Sequence, residues 1–296
     1  MDRLRRIKRN SNESNRNSNE SNRTRSVVIN VPQEEDEAQS SLKRNRNYSL
    51  PEVIGSFLKR NSQEADWQQQ PRKASSAGTV TFFSALQPTF GEVRQSMKAG
   101  RNVPFIPCGK FVEASEQFLR IFDRLDNMTL MTLKEKMRDC VDHMKKVMRS
   151  TKVKGDSLLA ITEFELKDEK AGKHGTKTPT FFKLLRNLAT INLFVGNLID
   201  PNSANHRNVR NSFLAAYAVY MERRHKWITQ RAVHAASRLM CSYEQAVDRL
   251  VEMEHSKIEF FRKEAFIARE GLAYNRDLDE VLKVIVEYLE KKGCPL

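Results

Sequence analysis

Three polar side chains recur at helical spacing in the middle of the chain. Asp139, His143 and Lys146 are separated by four and three residues, which places them within about 60° of arc on one face of a helix. A carboxylate and an imidazole on one face can accept and donate hydrogen bonds or move a proton, and the lysine adds a positive charge. From spacing alone, the ordinary interpretation of such a face is that it is solvated.

A pair of basic residues lies in an otherwise apolar segment. Residues 181–199 (FFKLLRNLATINLFVGNLI) carry charge only at Lys183 and Arg186, and a helix so nearly apolar is predicted to lie at the centre of the fold. The two cations either face an anionic group, reach solvent along their alkyl chains, or pair with Asp139 and Asp142. They share one polar stripe with Asn187, Thr190 and Asn197.

A third polar group precedes a tryptophan, where residues 223–226 (RRHK) lead into Trp227. A tryptophan beside basic residues suits a membrane interface, and partial burial in the core explains it as well. Asp139 with His143 or His225 would make an acid/base pair, but no nucleophile or oxyanion site accompanies it. The sequence also lacks a Gly-rich phosphate loop and any zinc-binding Cys/His spacing. We therefore predict no enzyme, no metal site and no cofactor.

Helical periodicity predicts the elements that must hold these side chains. Apolar residues recur at spacings of three and four, and strand-period alternation is not found, so the fold is expected to be all-α. The helix around residues 111–125 is expected to pack on the central helix at 181–199. The other helices are predicted over residues 130–148, from 157 onward, 211–240, 243–266 and 278–291, with a polar loop at 167–180.

Composition divides the chain into two parts. Residues 1–78 contain a tandem heptapeptide (NSNESNR at 10–16 and 17–23) and few apolar residues, so this segment is predicted to be a disordered basic and polar tail. Residues 79–296 are rich in Leu, Phe, Met and Val and are predicted to form one domain with a sizeable core.

The overall charge favours anionic partners. The chain has 51 basic and 37 acidic residues, a formal net charge of +14, which suits a phospholipid surface, a nucleic acid or an acidic protein. Nucleic-acid binding is not expected, because the basic residues of the folded part are dispersed. With four scattered cysteines, no signal-peptide-like segment and no apolar run long enough to span a membrane, we expect a cytosolic protein with reduced thiols.

Several motifs, taken in order, resemble the glycolipid transfer protein family from about Val80 onward. They are TFFS, then PFI followed by KFVEASEQFLRIFDRL, then MRDCVDHMKKV, LLRNLATINLF and RHKWI. The resemblance implies an all-α two-layer helical sandwich whose layers part to admit the hydrocarbon chains of a sphingolipid. It further implies transfer of that lipid between membranes by a cytoplasmic monomer that touches anionic membrane surfaces only transiently.

The resemblance assigns roles to four residues. Asp139 falls where the family has an aspartate that accepts the lipid amide N–H, and His225 where it has a histidine that donates to the acyl carbonyl. Lys146 matches a lysine that contacts the headgroup, and Trp227 a tryptophan that touches the membrane during docking.

Two positions depart from the sugar-binding pattern. His143 stands where those members have Asn, and Lys183 where they have the Trp on which the first sugar stacks. Lys183 and Arg186 instead resemble the ceramide-1-phosphate branch, in which basic residues of this helix hold a phosphate, although that branch has Lys at the position of His143. We therefore expect a phosphate headgroup, with glycosphingolipid transfer, or a sphingolipid sensor or adaptor without net transfer, as the alternatives.

Overall fold

The computed structural model describes residues 80–98, 104–125, 127–149, 156–170, 180–251 and 259–294. Backbone pairing in these ranges is limited to three isolated bridges, so the expected all-α class is confirmed. The predicted tail at 1–78 lies outside the described residues, and the boundary near residue 78 stays a prediction. The helices are α1 (Phe82–Ala85), α2 (Phe90–Ser96), α3 (Cys108–Phe118), α4 (Ile121–Leu125), α5 (Met128–Met148), α6 (Leu158–Lys170), α7 (Thr180–Ile199), α8 (Val209–Tyr220), α9 (Trp227–Ser237), α10 (Tyr243–Leu250) and α11 (Phe260–Lys291).

Helix α7 lies at the centre of the fold, as its apolar sequence predicts. It packs against α5, α8 and α11, and most of its side chains are buried on all sides, including the polar Asn187, Thr190 and Asn192. Asn192 donates to the carbonyl oxygen of Asn275 at 3.2 Å, and Asn275 donates back to that of Asn192 at 3.1 Å. These paired bonds fix the register of α11 along α7.

An aromatic cluster joins the first helices to α11. Phe90 lies 5.8 Å from both Phe111 and Tyr274, measured between ring centroids, and Phe118 lies 5.1 Å from Tyr274. At Gly271 the helices approach so closely that a Cβ atom would lie 2.5 Å from Ile199. The close packing of α11 across α1 and α7 therefore depends on glycine at this position.

Four predicted helices have the wrong bounds. The helix at 111–125 is divided at residues 119–120 into α3 and α4, and α3 packs mainly on α2 and α5, reaching α7 through Phe111 and Phe181 at 6.4 Å. The helices predicted at 243–266 and 278–291 also have different bounds in the structure. Helix α10 ends at Leu250, whereas α11 runs unbroken from Phe260 to Lys291. Tertiary packing of Gly271 and Tyr274 carries the helix through the segment where a break was expected.

The fourth is the helix predicted over residues 211–240. Instead of one helix, the structure has α8, a single 3₁₀ turn (Glu222–Arg224) and α9. In addition, α6 continues to Lys170, so the first four residues of the predicted polar loop are helical. The break between α8 and α9 has the greater consequence, because it determines how two of the candidate residues are presented.

Candidate functional site

The polar face of α5 forms as predicted. Asp139, His143 and Lys146 are all exposed, whereas Val141 and Met144 on the opposite side are buried. Among the described residues, the side chains of Asp139 and Lys146 form no hydrogen bond or ion pair with one another or with any third group. A carboxylate and an ammonium group are therefore accessible on this face.

Arg186 is a buried cation without an acidic partner among the described residues. Its residue is only 8% exposed, and no carboxylate of the described residues lies within ion-pair distance of its guanidinium. Burial, together with the nearby positive charge of Arg224, lowers the pKa of Arg186 to about 10, against a smaller opposing effect of Cys140. Pairing with Asp139 or Asp142, one of the alternatives left open by the sequence, is not found. Lys183, one helical turn earlier, is exposed.

The break between α8 and α9 forms a fixed turn at residues 221–226. The side-chain amide of Gln230 donates to the carbonyl oxygens of Glu222 at 2.7 Å and His225 at 3.0 Å, which satisfies backbone groups that the interrupted helix leaves open. The hydroxyl of Tyr217 lies 2.9 Å from Nδ1 of His225. The turn therefore holds the half-buried His225 ring in one orientation.

Both partners of this hydrogen bond are biased towards their neutral forms. Burial lowers the pKa of His225, and the positive charge of Lys136 lowers it further. Burial, with a smaller effect of Glu222, raises the pKa of Tyr217 to about 12. Tyr217 therefore keeps its hydroxyl hydrogen. In the tautomer in which this hydroxyl donates to Nδ1, the imidazole hydrogen lies on Nε2.

Side chains from α5, α7 and the turn influence one another's charge state around these residues. Arg186 of α7 is close enough to Cys140 of α5 and to Arg224 of the turn for each to influence it, and Lys136 of α5 influences His225. Lys136, Cys140 and His143 lie on successive turns of α5, with Asp139 beside them. We call Asp139, His143, Arg186, Arg224 and His225 the polar cluster.

Two of the remaining predicted residues, Lys146 and Lys183, are adjacent to members of this cluster along their own helices. Lys146 lies one turn beyond His143 on α5, and Lys183 one turn before Arg186 on α7. No hydrogen bond or ion pair joins either lysine side chain to another group in the described part of the chain. Arg224 was not among the predicted residues, because a continuous helix over 211–240 would give no reason to orient it towards α7.

Trp227 stands at the start of α9, and its position decides between two interpretations. The residue is 64% exposed, next to Ile228 at 63%, so partial burial in the core is wrong. The guanidinium of Arg231 lies 5.6 Å from the centroid of the indole ring. An exposed aromatic residue with a cation over its ring, two residues after His225, is placed to contact a surface near the polar cluster.

A sequence profile of the glycolipid transfer protein family matches residues 106–252, a range that contains the whole polar cluster and Trp227. Through these residues the chain belongs to the glycolipid transfer protein family. A search among curated proteins found no significant match.

Solved structures of the glycolipid transfer protein fold resemble the chain over almost their full length. The structure that shows how FAPP2 selects simple glycosphingolipids using this fold has a TM-score of 0.61 at 17% identity, over 73% of this chain and 98% of that one. The fungal glycolipid transfer protein HET-C2 gives 0.57 at 19% identity, over 73% and 100%. Mouse ceramide-1-phosphate transfer protein in its apo form gives 0.57 at 13%, over 73% and 98%.

These likenesses confirm the expected fold, the all-α sandwich of the glycolipid transfer protein family, and at such low identities they extend to the fold alone. Two further findings concern the described part of the chain. No helix there is long and apolar enough to cross a membrane, and no group of three or more His, Cys, Asp or Glu side chains is placed to hold a metal ion.

Proposed function

We propose that this protein transfers a sphingolipid with a phosphate headgroup, of the ceramide-1-phosphate type, between membranes without vesicles. Membership of a family of lipid transfer proteins supports lipid transfer in place of catalysis. The observation that supports phosphate is Arg186, a buried arginine near a second arginine and without a carboxylate partner among the described residues. A buried cation of this kind is costly unless an anion joins it.

The amide region of the lipid would be held by two oriented groups. Asp139 is exposed, and its carboxylate, which has no partner among the described residues, would accept the amide N–H. His225, held by Tyr217 at Nδ1, has Nε2 available to donate to the acyl carbonyl oxygen. A carboxylate acceptor and an imidazole donor match the polarity of an amide, so the two residues fix the lipid at the same point whatever its headgroup.

The headgroup would lie among the basic residues beside these two. Lys183 and Lys146 present exposed ammonium groups, and His143 lies between Asp139 and Lys146 on α5. An exposed lysine at position 183 offers charge to a phosphate and no flat ring for a sugar to stack on. This difference favours ceramide-1-phosphate over a glycosphingolipid.

The hydrocarbon chains explain why a carrier is needed. Moving each CH₂ group from an apolar environment into water costs about 0.8 kcal/mol, so two long chains cannot cross the aqueous phase unprotected. Enclosure by a helical sandwich removes this cost without a cofactor or an energy source. We propose that the protein acts as a cytoplasmic monomer, peripheral to membranes, that docks on anionic surfaces through Trp227 and its net positive charge.

Transfer between vesicles tests this proposal. Donor vesicles would carry either fluorescent ceramide-1-phosphate or a glucosylceramide with the same chains, and acceptor vesicles would be in excess. We expect the phosphate lipid to move faster with the full chain. Faster movement of glucosylceramide would show that the headgroup assignment is wrong, and binding of ceramide-1-phosphate without net movement would indicate a sensor or adaptor.

A further inference from the structure

We propose that Arg224 is a specificity-determining residue that holds the lipid phosphate together with Arg186. This inference rests on the proposed function and names an additional residue of the same site. It assigns a direct contact with the ligand to the turn between α8 and α9, which sequence periodicity alone had placed inside a long helix.

The backbone around Arg224 is held in place from both sides. Arg224 ends the 3₁₀ turn, and its amide nitrogen donates to the carbonyl oxygen of Met221 at 3.0 Å. The next residue, His225, is attached to α8 through Tyr217 and to α9 through Gln230. Because α8 packs along α7, the turn holds the start of the Arg224 side chain at a fixed position relative to Arg186.

No carboxylate near the turn, among the described residues, occupies the guanidinium of Arg224. Its guanidinium makes no ion pair with a carboxylate of the described residues. The nearest acidic residue in sequence, Glu222, lies instead 3.6 Å from Nε2 of His234, measured from its Oε1. Arg186 and Arg224 are thus two neighbouring cations from separate elements, and no described acid neutralises either one. Such an arrangement is unfavourable in the absence of an anion.

A phosphate monoester matches this arrangement in charge and in geometry. At neutral pH it carries a charge of about −1.5 to −2, and its oxygens accept the paired N–H groups of a guanidinium. Arg186 is buried and Arg224 is exposed, so the phosphate would contact one arginine on its protein side and the other on its solvent side. A neutral sugar would leave this pair of charges unmatched.

The experiment measures binding of short-chain lipids in solution, without vesicles, so that contact with a membrane does not contribute. The probes are ceramide-1-phosphate and ceramide with the same chains. The variants of the full chain are Arg224→Gln, Arg224→Lys and the control Arg210→Gln, which removes the same charge from an exposed arginine at the opposite end of α8.

We expect Arg224→Gln to weaken binding of ceramide-1-phosphate by about tenfold to a hundredfold, the effect of losing a hydrogen bond to a charged group. Arg224→Lys should lose less, because it keeps the charge. Binding of ceramide should stay within about twofold of the wild type, and Arg210→Gln should change neither ligand. Thermal unfolding of each variant would show that the fold is retained.

Three results would overturn the inference, and they can be told apart. If the wild type prefers ceramide-1-phosphate and Arg224→Gln retains that preference, Arg224 does not hold the phosphate, and the proposed function stands. If Arg224→Gln weakens binding of both lipids equally, the residue has a structural role. If the wild type itself does not prefer the phosphate lipid, the proposed function fails together with this inference.

Discussion

In the proposed function, Arg186 is unfavourable for folding and useful for binding. Its segment is apolar enough to be the centre of the fold, yet it places a guanidinium where only 8% of the residue is exposed. Removing such a charge from water costs several kcal/mol when no partner compensates for it. Selection for stability alone would favour an apolar residue of similar length at this position.

Replacing this arginine by methionine should therefore separate stability from function. We expect Arg186→Met to leave the free energy of unfolding of the lipid-free protein unchanged or to raise it, and to slow transfer of ceramide-1-phosphate by tenfold or more. Urea denaturation and the vesicle assay measure the two effects.

Arg94→Met provides the matched control for this substitution. Arg94 Nε lies 3.0 Å from Oδ1 of Asp277, whose side chain is mostly buried. This variant removes an ion-pair partner of a buried carboxylate, so it should lower the free energy of unfolding while leaving lipid selectivity unchanged. If Arg186→Met destabilised the protein as much as Arg94→Met, Arg186 would be a structural residue and not a binding residue.

Sequence reasoning at the scale of residues succeeded where periodicity was sufficient. The exposed face with Asp139, His143 and Lys146, and the polar stripe with Lys183 and Arg186, follow from helical spacing, and both lie on helices in the structure. Arg224 did not follow from spacing, because its position depends on a helix break stabilised by Gln230, which is six residues further along the chain.

At the scale of elements, some helix ends have a signal in the local sequence and others do not. Breaks marked by proline or by capping residues carry a signal in the local sequence: α2, for example, begins after Thr89, whose hydroxyl and the side chain of Glu92 form a capping box. The turn at residues 221–226 carries no proline or glycine. It is stabilised by tertiary hydrogen bonds instead, and those cannot be read from local propensity.

The turn offers a test of its own through Tyr217. Tyr217→Phe removes the hydroxyl that holds Nδ1 of His225 while it preserves the ring packed against Phe213 at 6.3 Å. We expect transfer to slow severalfold, because the imidazole can then adopt either tautomer and rotate. The melting temperature should fall only slightly. Nitrogen NMR of His225 would report the tautomer directly.

A different outcome would change the role assigned to this hydrogen bond. If Tyr217→Phe left both the Nε2–H tautomer and the transfer rate unchanged, other contacts would be orienting His225. Phe213→Leu is a suitable comparison, because it alters packing next to Tyr217 without removing a hydrogen bond. This comparison variant should lower stability through lost core contacts and leave the tautomer as it is.

At the scale of the whole molecule, transfer requires docking on one membrane, extraction of the lipid and release at another. The polar cluster lies near the first half of α7, and Trp227 follows it directly on the chain. Helix α7 is about 30 Å long. The start of α11 lies towards its other end, because the Phe260 ring packs 6.2 Å from Tyr243, whose ring in turn lies 5.7 Å from His206 in the loop after α7.

Two similar exposed aromatic residues therefore lie towards different ends of α7. Trp227 is 64% exposed with Arg231 5.6 Å from its ring centroid, and Phe261 is 61% exposed with Arg262 at 5.9 Å. If exposed aromatic area alone governed docking, truncation of either residue would slow transfer. If docking must bring the polar cluster to the membrane, only Trp227 should matter.

We therefore expect Trp227→Ala to lower both the fraction of protein that sediments with anionic vesicles and the rate of lipid transfer, about tenfold for the loss of an indole that inserts at the interface. Binding of short-chain ceramide-1-phosphate in solution should be unchanged. Phe261→Ala should behave as the wild type in all three measurements. Equal losses in the two variants would mean that the protein docks without a preferred orientation, whereas a loss confined to Phe261→Ala would place the docking surface at the opposite end of α7 and contradict the role of Trp227.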